Sequence, residues 1–140
     1  TLAKPKKVEH QNTALLKQKE IEKTYGSMMD YYNTAKIKCK VASKDRNSIF
    51  VTAEGLIMPC CWTAGRMYKW WHKDPKVEQI WDFIDKDALD ARNGLEQVFA
   101  TGAFDRIQDS WNKQSIADGK LKVCSMKCGA EFDPFAEQFK

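Results

Sequence analysis

The residues with the most chemistry in this 140-residue chain are five cysteines at three stations. Cys39 stands alone, Cys60 and Cys61 are adjacent, and Cys124 and Cys128 form a C-x-x-x-C pair. Thiolates are preferred ligands of soft metals and of iron–sulfur clusters. Free cysteine also packs as a small hydrophobe, but five thiols at three stations point to a shared metal site over scattered packing. The odd count argues against a disulfide framework. In a reducing compartment, paired cysteines serve as metal ligands more often than as disulfides. Structural zinc sites usually draw on two close cysteine or histidine pairs. Here one close pair exists and Cys60-Cys61 is not a knuckle, which favours a cluster over zinc while leaving both open.

The elements that must position these thiols follow from periodicity. Residues 1–10, with Lys4, Lys6 and Lys7, read as a basic arm. Residues 11–140 read as one domain that opens with a helix. Asn12 or Thr13 caps that helix, which runs to about Asn33 with Ala14, Ile21, Tyr25, Met28 and Tyr32 on one face. Ile37–Val41 reads as a short strand carrying Cys39, with a polar turn over Ser43–Asn47. Ile49, Val51 and Leu56–Met58 flank Ala53-Glu54-Gly55 as a β-hairpin that delivers Cys60 after Pro59. Residues 62–74 read as a loop, and Pro75 opens a helix whose face holds Val77, Ile80, Trp81 and Ile84. Further helices are expected over Asp87–Ala100 and over Ala103–Lys113, the latter with Phe104, Ile107 and Trp111 as its buried stripe. Asp118-Gly119 turns the chain into the Cys124 pair. Strands on either side of a hairpin can lie together, so Cys39 and Cys60 can face one space. A C-terminal segment carrying Cys124 and Cys128 can close over it.

Composition narrows the class. Apolar residues make up 43% of the chain and charged residues 30%, as expected for a globular domain of this length. No apolar run reaches the length of a membrane span and no signal-peptide core is visible, so a cytoplasmic protein is expected. The net charge of +4 is too small to indicate nucleic-acid binding. Phosphate loops and dinucleotide fingerprints are missing, as is the C-x-x-C of thiol–disulfide exchange. His10 falls in the arm. His72 falls in a tryptophan-rich loop with Trp70 and Trp71, and reads as a surface residue. Trp62, Trp70 and Trp71 suit either a hydrophobic cover for a cluster or a patch for a protein partner. Trp81 and Trp111 read as core.

Cys39 is followed by fifteen residues, Gly55, four residues and Cys60; the hairpin text is TAEGLIMPCCW, VEQIWDF follows it, and CSMKCG closes the pattern. Between Ile37 and Gly129 this text resembles the SPASM/Twitch auxiliary-cluster domains of radical S-adenosylmethionine enzymes. In that family a Gly turn leads to Pro-Cys, a short helix ends in Ile-Trp, and a C-x-x-x-C closes the site. The resemblance implies a small α+β fold, a β-hairpin core with about four helices, holding one [4Fe–4S] cluster. The alternatives are a [2Fe–2S] cluster or zinc. By family matching Cys39, Cys60 and Cys128 are ligands, Cys124 is the fourth, and Cys61 competes for the fourth place. If Cys61 is not a ligand, strand alternation should turn it away from Cys60. Gly129 beside a ligand would let backbone N–H groups approach cluster sulfurs.

The chain lacks the C-x-x-x-C-x-x-C triplet that holds the S-adenosylmethionine-cleaving cluster, so radical catalysis by this chain alone is not expected. The expected role is electron transfer or redox support of a protein partner. The alternatives are a peptide- or protein-binding module with a structural cluster, and a zinc-stabilised structural protein.

Overall fold

The N-terminal stripe folds as two helices where one was expected. In the computed structural model, which describes residues 13–43, 46–67, 79–83 and 85–134, α1 spans Thr13–Tyr25 and α2 spans Met28–Thr34. Gly26 takes φ +98°, which a side chain disfavours, and ends α1. Ser27 is extended, and its hydroxyl accepts from Asp30 N at 3.1 Å, capping α2. The periodicity ran through this break because both helices bury residues in one small core of Ile21, Tyr31, Ala35 and Phe132.

The segment Ile37–Val41, expected as a strand, forms one antiparallel bridge, Ile37 to Gly129. Two short hairpins follow. Strand β1 (Ala42–Ser43) pairs with β2 (Arg46–Asn47), where a polar turn was expected. Strand β3 (Phe50–Val51) pairs antiparallel with β4 (Ile57–Met58) in the register Phe50 to Met58 and Val51 to Ile57, so the Gly55 hairpin is present. Gly55 supplies φ +82° at its turn. Thr52 Oγ1 accepts from Leu56 N at 3.1 Å and ties the turn shut.

After Cys60 the expected loop begins instead with helix α3, Cys61–Gly65. A 3-10 turn covers Gln79–Asp82, while Trp70, Trp71, His72, Pro75, Val77 and Ile84 lie outside the described residues. The helix expected over Asp87–Ala100 is broken up. Two 3-10 turns, Asp87–Leu89 and Ala91–Asn93, are separated by extended Asp90, and α4 covers Leu95–Ala100. The Asp90 carboxylate accepts from Arg92 N at 2.9 Å, trading helix continuity for a side-chain cap. Helix α5 spans Ala103–Ser110, ending three residues before the expected Lys113. Helix α6 spans Lys122–Cys128.

The fold is α+β, with six α-helices among the described residues where about four were expected. The main core gathers Leu56, Ile57 and Met58 of the hairpin with Ile80, Leu89, Val98, Ile107, Leu121 and Val123. Trp81 and Trp111 pack against it half-buried, as expected for core tryptophans. No helix among the described residues is long and apolar enough to cross a membrane.

Candidate metal centre

Cys39, Cys60, Cys124 and Cys128 line one small cavity of about 30 Å³, walled otherwise by Ile37, Val41, Pro59, Trp62, Thr63, Ile107, Trp111, Val123 and Lys127. Each thiol arrives by a different local rule. Ile37, Cys39 and Val41, spaced two apart, all line the cavity, with the chain bridged to Gly129 at Ile37 and bending at Lys40 and Val41. Cys124 and Cys128 stand one turn apart on α6 and share a face. Cys60 precedes α3 in an extended conformation, with its Sγ 3.4 Å from Thr63 Oγ1. Cys61 is the first residue of α3, is exposed, and is not part of the cavity lining. Cys60 and Cys61 do diverge, but at a helix start and not by strand alternation.

Backbone pairing brings the stations together. Lys38 N donates to Cys128 O at 2.9 Å and Ala130 N donates to Lys36 O at 2.8 Å, laying Cys39 beside the end of α6. Gly129 sits inside this pairing, where a Cβ would stand 2.5 Å from the Tyr31 hydroxyl and 2.6 Å from Ser125 O. The reason for glycine there is this close approach. Lys40 adds a clamp: its Nζ donates to Lys127 O at 2.6 Å, pairs with Asp133 at 2.8 Å and sits 5.4 Å from the Trp62 ring centre. A buried Lys120 donates from Nζ to the carbonyls of Asn33 and Ala35, fixing the end of α2. Sequence reasoning singled out neither lysine. A lysine's partners lie far along the chain, and no local pattern marks them.

The electrostatics are those of thiols crowded away from water. Burial pushes the Cys124 thiol up to about 12, opposed by the Trp111 indole and reinforced by Cys60 and Cys39. Cys128 is also raised, chiefly by its hydrogen bond with Cys39 and then by burial. Without a cation Cys124 and Cys128 stay protonated; a bound metal ion reverses that and deprotonates coordinating thiols outright. Lys127 is shifted down by burial first and then by Arg66 and Lys40, so three basic side chains crowd beside the cavity, where they can offset the charge of a thiolate-ligated group.

A single metal ion requires its ligands to meet at one point, with zinc–sulfur bonds of about 2.3 Å. Among the described residues, no three of the His, Cys, Asp and Glu side chains form a group that could hold one ion. A cubane cluster spreads its four thiolates over four irons, and the donor set here, four cysteines in an apolar wall, fits that chemistry. The void itself has room for about one or two waters, so holding a cubane requires its walls to move apart. On the Cys39 side, Val41, Pro59, Ile107 and Trp111 are shared with a larger apolar groove of about 510 Å³ that also meets Ile49, Leu95, Phe99 and Phe104.

Fold and site together define a small α+β protein with four thiols converging on one cavity. Comparison with protein-family models, curated proteins and solved structures finds no match for this chain.

Proposed function

We propose that this protein binds one [4Fe–4S] cluster through Cys39, Cys60, Cys124 and Cys128 and uses it in electron transfer or redox support of a protein partner. The observation that carries this reading is the convergence of four cysteines, from segments as far apart as residues 39 and 128, on a single cavity that leaves Cys61 outside. The resemblance to SPASM/Twitch domains supports the same four ligands and the same cluster type. The cluster supplies the one-electron chemistry when bound. The chain's part is to hold it, to set its potential through burial and nearby charge, and to limit solvent with Trp62, Ile107 and Trp111. This role suits a reducing compartment such as the cytoplasm, where the thiols remain free to ligate. No catalytic residue is assigned.

The groove beside Cys39 favours a second reading, in which the cluster is structural and the protein binds a peptide or protein. Anaerobic purification with iron, sulfide and zinc analysis, followed by EPR before and after dithionite, tests both. About four irons and four sulfides per chain with a reduced-state signal support the first reading. A cluster inert to reductants favours the second. Zinc without sulfide refutes both.

A further inference from the structure

The thiol cavity also carries a nitrogen donor. Trp111 follows the last turn of α5, and with Ile107, one turn earlier, it walls the cavity that holds the four cysteines. Its indole Nε1 is buried and makes no well-formed hydrogen bond among the described residues, although the Cys124 thiol lies within its reach. The only other such buried side-chain atom described is Ser125 Oγ, and Ser125 does not line the cavity. A buried N–H without a well-formed hydrogen bond is costly, and Trp111 is held in place by core packing. An indole N–H donates and never accepts, so whatever satisfies it must be an acceptor. It already lies near enough to Cys124 to favour that residue's thiolate against the burial that opposes it. A thiolate or sulfide sulfur of an anionic cluster is such an acceptor, and hydrogen bonds to the sulfurs are among the factors that set cluster potential.

We propose that Trp111 Nε1 donates a hydrogen bond to a cluster sulfur at the Cys124 corner and holds the cluster's reduction potential up. The proposal rests on the cluster reading above. The sign follows from charge: reduction adds one negative charge to the cluster, and a donor hydrogen bond stabilises the more negative state more strongly. Losing the N–H should therefore make the cluster harder to reduce without removing any ligand.

The test uses the full chain loaded with its cluster. Trp111→Phe, and 3-benzothienylalanine at position 111 as an isostere without the N–H, are titrated by EPR-monitored redox potentiometry beside wild type. Measured on the iron-loaded fraction of each protein, the midpoint should move to more negative potential in both. Wild-type protein carrying indole-¹⁵N tryptophan should show coupling of the reduced cluster to a ¹⁵N nucleus and to an exchangeable proton, and the benzothienyl residue should abolish it. The wild-type spectrum decides the matter even if both substitutions impair folding. An iron-loaded wild type with no such coupling, a coupling that survives the benzothienyl replacement (which would assign it to another indole, such as Trp62), or an unchanged midpoint would each overturn the role of Trp111 while leaving the cluster reading intact. A wild type that holds no iron would remove the acceptor and defeat both.

Discussion

Gly129→Ala is the most informative single substitution, because backbone preference and packing push it in opposite directions. Gly129 has φ −63° and ψ 134°, a conformation any residue adopts. On backbone grounds alanine should stabilise the protein by about 0.4–1 kcal/mol by restricting the unfolded chain. Packing says otherwise. The added methyl would stand 2.5 Å from Tyr31 Oη and 2.6 Å from Ser125 O, where ordinary contact begins at 3.4 Å. Ser125 O belongs to the backbone of α6, and Tyr31 is 1% exposed, so neither neighbour yields freely. For ordinary contact the hydroxyl must retreat by about 0.9 Å. That breaks the hydrogen bonds it accepts from Glu131 N at 3.2 Å and Phe132 N at 3.1 Å. Each is worth about 1 kcal/mol, and overpacking adds about 1–3 kcal/mol. The net expectation is a loss of about 2–4 kcal/mol, read as a lower midpoint in equilibrium urea denaturation. Because the strain falls on the residue after Cys128 and on the bridge to Ile37, iron content should fall as well. In a Tyr31→Phe background the nearest clashing atom is gone, so the alanine should cost less there than in wild type. A Gly129→Ala protein as stable as wild type would refute the close approach on which the pairing of Cys39 with Cys128 depends.

Replacing Cys39, Cys60, Cys124 or Cys128 by Ala should each remove most of the bound iron and lower stability, since metal binding is coupled to folding. Cys61→Ala should keep wild-type iron content, and iron lost there but retained in Cys124→Ala would reassign the fourth ligand. In metal-free protein, iodoacetamide at neutral pH should label exposed Cys61 first and Cys124, held up to about 12 by burial, among the last; mass mapping of a time course reads the order. Arg92 holds the Asp90 carboxyl down to about 2, below the 3.8 of an unperturbed aspartate. The stabilisation this gives is therefore complete above about pH 4 and is lost as pH falls through about 2. Asp90→Asn should flatten the acid limb of stability against pH across that window, and an unchanged limb would show that the Arg92 contact carries no linkage.

The sequence alone determined those features that depend on near neighbours. The Gly55 hairpin was legible because a positive φ and flanking apolar runs are local properties, and the hairpin formed. The shared face of Cys124 and Cys128 follows from a spacing of four on a helix, and the common direction of Ile37, Cys39 and Val41 follows from a spacing of two. The convergence of three cysteine stations could be suggested from thiol chemistry, but no periodicity encodes it. Tertiary structure decided the rest. Whether Cys60 or Cys61 faces inward was settled by a helix that starts at Cys61 and runs into residues 62–74, a stretch that reads as loop because Trp, Gly and Lys carry no clear period. The helices expected to Asn33 and over Asp87–Ala100 were cut where Ser27 and Asp90 side chains capped the backbone, a competition that apolar periodicity does not register. Gly129, Lys40 and Trp111 matter through neighbours 13 to 98 residues away: the Tyr31 hydroxyl, the Lys127 carbonyl and the Cys124 thiol. Contacts of that range arise only when the chain has closed on itself, and so the walls of the cavity were decided by packing while its thiols were already written in the sequence.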